Sequence, residues 1–363
     1  MTPRSLMILA GATAIAVAGA IAAVVMQPNV APPKEGRPVF AGLVDKINDV
    51  RSIEIIRTEE SFTMNRKGDG WVMKDRYDYP VRFDKVKEAL LTLGEMKTVE
   101  PATNKSELFN KLEVAPAGKD STGGQITLKD GNGRVIASLL IGRRAYSRGP
   151  AALDQTYVRK PDENQAWLVK GAIDVGRRAV DWLARDIIDV NRDRVREVQV
   201  REPDGKMLVV RETGVEKGKF EIVDKPANAK VIADINVWTV AGLAEEVSLN
   251  EVKPAAEVGI TGTEDPQAVV YSRDGLVITV RMRKIGDDTW ATFETKVDAA
   301  QRELAKIKND LRPIDAVRRQ SDEINARAKG WAYQLQTHTL SRLNSKLADL
   351  VEFPKPDEKK QGS

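Results

Sequence analysis

The sequence has no cysteine and one histidine in 363 residues. The first absence excludes disulfides, thiolate metal centres and thiol nucleophiles. The second removes the usual His-centred triads. Aromatic residues are scarce at 5%, and neither sign of charge dominates, with 57 Lys and Arg against 53 Asp and Glu for a net charge of +4. So even a balance argues against a dedicated nucleic-acid binder. Phosphate-loop, nucleophile-elbow, zincin and EF-hand motifs are missing as well. What remains suffices for real cores: strong apolar residues make up 42%, and the length allows two ordinary domains.

Leu6 to Met26 is uncharged. At about 1.5 Å per residue it reaches across the roughly 30 Å of a bilayer core. Leu6, Ile8, Leu9, Ile15, Val17, Ile21, Val24 and Val25 each favour insertion by about 0.3–0.6 kcal/mol. Arg4 precedes the run and no charge follows it closely, so the positive-inside rule predicts a single-pass inner-membrane anchor, N-terminus cytoplasmic and body periplasmic. A cleavable signal peptide is the rival reading, because Ala18-Gly19-Ala20 and Ala20-Ile21-Ala22 carry small residues at the required spacing. Residues 1–27 are therefore read as anchor or signal peptide, and 28–49 as a Pro-rich tether and lead-in.

The body repeats itself. In a first repeat, residues 50–190, strands are expected at Ser52–Arg57, Ser61–Asn65 and Trp71–Met73. A helix, Phe83 to Met96 with Asp84 as its N-cap, follows. Two hairpins come next: Gln125–Lys129 with Val135–Ile141 around Asp130-Gly131-Asn132-Gly133, then Tyr157–Arg159 with Ala166–Val169. A second repeat, residues 191–353, replays that order: strands at Val195–Arg201, Met207–Arg211 and Phe220–Val223, a helix at Ala233–Glu245, and a hairpin around Asp274-Gly275. Thr289–Thr295 then lacks its partner until Trp331–Leu335, and a closing helix is expected at Ser341–Val351. The predicted fold is α+β: a transmembrane helix, then two similar units, each a mainly antiparallel sheet with a packed helix. The tail, 354–363, reads as disordered.

The delay is an insertion, residues 297–330, rich in charge and helix formers. Leu304, Ile307, Leu311 and Ile314 are spaced like a narrow helical seam, continued loosely by Val317 and Ile324 and interrupted by Arg312-Pro313. The spacing fits a helical hairpin packed on itself or its parent domain, or a docking arm for a partner; the first four residues are the candidate partner contacts.

No catalytic, cofactor or metal residue stands out. His338 has no acid or nucleophile motif beside it. Asp181, Asp186, Asp189 and Asp193 are interleaved with Arg177, Arg178, Arg185, Arg192, Arg194 and Arg196, a pattern that predicts a salt-bridged surface rather than a metal site. Arg143, Arg144 and Arg148, with Tyr146 among them, are a candidate anion contact or a polar loop.

Several marks then align: Gly70-Trp71-Val72, Tyr79-Pro80, Leu90-Leu91-Thr92-Leu93, Leu140-Ile141-Gly142, Thr156-Tyr157-Val158, Trp167-Leu168-Val169 and Asp181-Trp182-Leu183. Together they resemble domain-of-unknown-function family 4340, over residues 50–353. The resemblance implies a membrane-anchored extracytoplasmic protein, often in tandem copies, that accompanies an ABC exporter of the gliding-motility type. Its partners would be the permease, the ATPase and the auxiliary protein. It implies a non-enzymatic accessory role without cofactor and supplies no catalytic residues. The alternative expectation is a periplasmic binding module for an envelope glycan or lipid, with Trp71, Trp167, Trp182 and Trp290 lining a groove between the repeats. An enzyme using carboxylates alone is the third.

Overall fold

Alternation of apolar and polar residues sets the strands of the computed structural model, which describes residues 36–117, 123–145, 154–202, 204–264, 267–308 and 311–353. The expected membrane span Leu6–Met26, the cluster members Tyr146 and Arg148, and the tail from residue 354 lie outside the described residues. Among those described, no helix is long and apolar enough to cross a membrane.

The first repeat contains β1 (Ser52–Ile56), β2 (Ser61–Lys67), β3 (Gly70–Met73), β4 (Tyr79–Pro80), α1 (Phe83–Glu95), β5 (Lys97–Thr103), α2 (Phe109–Leu112), β6 (Gly124–Lys129), β7 (Val135–Ala145), β8 (Gln155–Arg159) and β9 (Ala166–Lys170). In β1, Ile53 and Ile55 are fully buried while their neighbours are half-buried, the period of two that a one-sided strand requires. Helix α1 buries Val86, Ala89, Leu90 and Leu93, spaced for one helical face. It starts at Phe83 as expected, two residues before the first helical position that an Asp84 N-cap implies. Asp84 therefore sits in the first turn, where the Arg82 guanidinium 2.6 Å away holds its carboxyl below the usual range.

After β10 (Asp186–Ile188), the second repeat contains β11 (Val195–Arg201), β12 (Met207–Glu212), β13 (Phe220–Ile222), β14 (Lys230–Val231), α3 (Asp234–Ala241), β15 (Val247–Pro254), α4 (Ala255–Val258), β16 (Ala268–Ser272), β17 (Leu276–Ile285), β18 (Asp288–Val297), α5 (Ala299–Glu303), α6 (Ile314–Ala328), β19 (Trp331–Leu335), α7 (Thr337–Leu343), α8 (Leu347–Leu350) and β20 (Val351–Glu352).

These strands form two nine-stranded sheets and one short ladder, β14 with β20. The repetition extends to topology: the order β1-β6-β7-β8-β9-β5 is matched by β11-β16-β17-β18-β19-β15. The helices after β5 and β15 match too. Each ends on a left-handed residue, Glu113 (φ 61°) or Gly259 (φ 77°), followed by a buried aliphatic residue, Val114 or Ile260. The delayed partner is where the pattern placed it, with Trp290 opposite Gln334 and Ala291 opposite Tyr333 in β18 and β19.

Three helical expectations are corrected. Helix α3 ends at Ala241, where Gly242 follows and the Arg192 guanidinium approaches so closely that a Cβ would lie 2.9 Å from it. The closing segment is two short helices, α7 and α8, separated by Asn344-Ser345-Lys346, all poor helix formers or cap residues. The insertion is not a helical hairpin: α5 is one turn, and only α6 is long. Pro313, which has no N–H to donate and sits at the N-cap, starts α6 rather than kinking a longer helix.

The chain divides into two compact units. One comprises the described residues up to Thr58 and those of Lys87–Val175; the other comprises Glu59–Val86 and the described residues from Gly176 on. The core of the first unit includes Ile53, Ile55, Leu93, Ile126, Leu128 and Leu139, each worth about 1.5–3 kcal/mol when fully buried. In the second unit, the segment Glu59–Val86 is held by mixed chemistry. Tyr79 meets Trp331 edge-on at 5.0 Å and donates from its hydroxyl to the Ala184 carbonyl. Arg76 bridges Glu60 and Glu251, both at 2.7 Å, and the Tyr77 hydroxyl donates to Glu257.

Candidate functional site

The insertion packs on its parent sheet and walls a cavity. Helix α6 turns Val317, Ser321, Ile324 and Ala328 inward, a 4-3-4 spacing that makes one face. Beyond the register with β19, Thr295 of β18 has no strand neighbour on that side, and Asn325 takes the strand's place. Its Oδ1 accepts from the Thr295 N–H at 2.8 Å and its Nδ2 donates to the Thr295 carbonyl at 2.8 Å. The Ser321 hydroxyl lies 2.9 Å from the Thr295 hydroxyl.

Where α6 ends, a cavity of about 520 Å³ opens between it, β17, β18, α4 and the start of β19. Its apolar wall is Ala255, Ile260, Phe293, Ala328 and Trp331; Arg281 and Lys329 bring cations, Thr261 and Thr292 hydroxyls. Arg281 is already engaged, donating from Nε to the Glu264 carbonyl at 2.9 Å and pairing with Glu294 at 3.1 Å. Lys329 is exposed and has no partner among the described residues. The rim is stiffened by Glu264, whose carboxylate accepts from the N–H groups of Thr261 and Gly262 at about 3.0 Å. Those main-chain donors hold its carboxyl below the usual range. The arrangement can hold a ligand by an aromatic face, one free ammonium and hydroxyls. It contains no nucleophile–base pair. Among the described residues no group of three or more acids or histidines is gathered for a metal ion.

The candidates from the sequence scatter. Leu304 is 59% exposed just after α5, Ile307 and Leu311 lie half-buried outside any helix, and Ile314 opens α6. They form no helical seam, because the long helix begins only after Pro313 and Ala305 rather than Leu304 turns inward. Arg143 and Arg144 are exposed consecutive residues of β7; Arg143 sits over the Tyr157 ring at 5.7 Å while Arg144 pairs across to Thr156. Of the four tryptophans, Trp71, Trp182 and Trp290 are core residues, and the half-buried Trp167 lines a pocket within the first unit. His338 is exposed on α7.

The interleaved acids and arginines pair differently from the expectation. Asp181 accepts from the main-chain N–H groups of Arg177 and Arg178, and Asp189 from that of Glu246. The arginines reach acids distant in sequence, Arg192 to Glu245 and Arg194 to Asp274. Burial pushes the Glu245 carboxyl up, but hydrogen bonds from Arg192 outweigh that and leave it below its ordinary value. Burial lowers Arg194, although Asp274 opposes the shift. Sequence reasoning missed the pocket residues Arg281, Lys329 and Trp331. Only Trp331 carried a local signal, an aromatic residue opening a strand after Lys329-Gly330.

Comparison with known proteins yields one match. The family model described as "Domain of unknown function (DUF4340)" matches residues 71–253, a span from β3 of the first repeat to β15 of the second. No curated protein and no solved structure matches the chain.

Proposed function

We propose, from the premise that this chain belongs to the DUF4340 family, that it is a non-enzymatic accessory subunit of an ABC-type transporter of the gliding-motility kind. In this reading residues 6–26 anchor it in the bacterial inner membrane and its body stands in the periplasm beside the permease, the ATPase and the auxiliary protein. The observation that carries the reading is the duplicated six-strand frame, in which the buried acids Glu197 and Asp274 serve the fold itself. Glu197 is held by Arg211 at 2.6 Å and Gln199 at 2.6 Å, and Asp274 by Arg194 at 2.9 Å and Ser272 at 2.6 Å. Groups tied up in this way make a scaffold; they are not poised for proton transfer.

Leu304, Ile307, Leu311 and Ile314 are the proposed partner contacts. Deleting residues 297–330 would strip α6 from β18, so the test uses Leu304→Ser at an exposed position and Ile307→Ser at a half-buried one, both in the full chain. Co-purification of permease and ATPase with the parent protein, reduced by the pair of changes at unaltered thermal stability, is the expected result. Recovery that the changes leave untouched would place the contact elsewhere.

A second reading, a binding module for an envelope glycan or lipid, is favoured by Trp331 in the wall of the 520 Å³ cavity. An aromatic face beside hydroxyls suits a sugar ring. Soluble envelope oligosaccharides that raise the melting temperature of the parent but not of Trp331→Ala would support it; no shift in either would exclude the glycan arm.

A further inference from the structure

Arg159, at the end of β8, is 4% exposed, yet it has no carboxylate partner among the described residues. Its guanidinium is held by main-chain carbonyls alone. Nε donates to Val114 at 3.0 Å, and Nη1 to Lys160, Pro161 and Glu163 at 3.3, 3.2 and 2.8 Å. The Phe109 ring stacks against it at 4.4 Å. Its Nη2 has no hydrogen-bond partner among the described residues and is not sealed from open space. A buried cation balanced only by dipoles is costly, and burial pushes its pKa down.

Arg159 lines a pocket of about 180 Å³ inside the first unit. Val39, Leu139 and Val158, all buried, and the half-buried Trp167 give it an apolar lining; Arg37 and Lys160 stand at its rim. The one acid there, Glu163, is paired with Lys160 at 2.9 Å. We infer that this pocket binds a small monocarboxylate, its head on the unpartnered Nη2 of Arg159 and its apolar body against Leu139, Val158 and Trp167. A planar guanidinium matches a carboxylate. With the Lys160 charge taken by Glu163 and Arg37 exposed at the rim, Arg159 is the one buried cation that faces the pocket. The volume admits a single ring or a short branched chain. The inference is independent of the accessory role, since it concerns other residues.

The test is calorimetric titration of the whole protein with benzoate, benzamide and inorganic phosphate at low ionic strength. Benzoate binds with Kd of about 0.1–10 mM, and benzamide and phosphate at least about ten-fold more weakly. Arg159→Lys keeps the charge but loses the planar fork and weakens benzoate by about ten-fold. Trp167→Ala, at a half-buried site, weakens it by a similar factor and provides the second variant should Arg159→Lys not fold. The same titration with a short peptide and its C-terminally amidated form separates a free acid from a peptide terminus as the natural source. No benzoate binding by the parent, equal binding of benzamide or phosphate, or binding unchanged in a folded Arg159→Lys protein would each overturn the inference.

Discussion

Single residues carry two measurable consequences. Glu245 accepts from the Arg192 side chain and main-chain N–H, while that guanidinium stacks 3.4 Å from the centre of the Trp238 ring. Because the folded pKa of Glu245 is depressed, the pairing stabilises the protein above the unfolded carboxyl value of about 4.3, and that contribution is lost as pH falls through the lower folded value. Glu245→Gln is expected to cost about 1–3 kcal/mol at pH 7 in urea denaturation. The gap from the parent should close as pH drops below about 4; a gap independent of pH would contradict the pairing. Gly142 has a steric role. A Cβ there would lie 2.1 Å from the Leu112 carbonyl oxygen and 2.8 Å from the Val114 side chain. Gly142→Ala is expected to destabilise by about 2 kcal/mol or more, read as a lower midpoint in the same denaturation; an unchanged midpoint would show that α2 yields freely. The family mark Leu140-Ile141-Gly142 thus has a cause in close backbone approach. The mark was readable in the sequence and the cause was not, since the carbonyl comes from a helix about thirty residues earlier.

Elements differ in how plainly the chain declares them, for physical reasons. The strands and hairpins were legible because one-sided burial imposes a period of two and because Asp-Gly and Asn-Gly turns punctuate it. Helix α6 was legible as a helix, and its inward face only in part. Apolar spacing through Leu304, Ile307, Leu311 and Ile314 continued loosely to Val317 and Ile324, whereas packing uses Val317, Ser321, Ile324 and Ala328. Half of that face is Ser and Ala, which a hydrophobic pattern does not register. Asn325, which completes the hydrogen bonding of β18, looks like an ordinary surface amide in the sequence. Asn325→Ala removes both partners of the Thr295 main chain, so a loss of about 2–3 kcal/mol is expected. Amide hydrogen exchange at Thr295 should speed up with it. A variant as stable and as protected as the parent would mean that α6 docks through its apolar residues alone. The two pockets were illegible because their linings converge from distant segments, and because a buried Arg159 is indistinguishable in sequence from an exposed one.

At the scale of the molecule, the tandem duplication was readable from the order of strands and turns, while the assignment of Glu59–Val86 to the second compact unit was not. That segment presents Tyr79 to Trp331 and Tyr333, with centroids at 5.0 and 6.2 Å, and Arg76 to Glu251. Burial drives the Tyr333 hydroxyl pKa far upward. Residues 176–353 produced alone would expose these rings. We expect that fragment to melt well below the full chain, or to aggregate, in a thermal scan followed by circular dichroism. A fragment as stable as the whole would remove the segment's structural role.

The accessory role itself is settled most directly by purifying the full-length tagged protein from gently solubilised membranes and identifying what accompanies it. The account predicts an ABC permease and its ATPase in stoichiometric amounts, diminished when Leu304 and Ile307 are changed to serine in a protein of unaltered stability. Recovery of the protein from the membrane fraction without either subunit would contradict it.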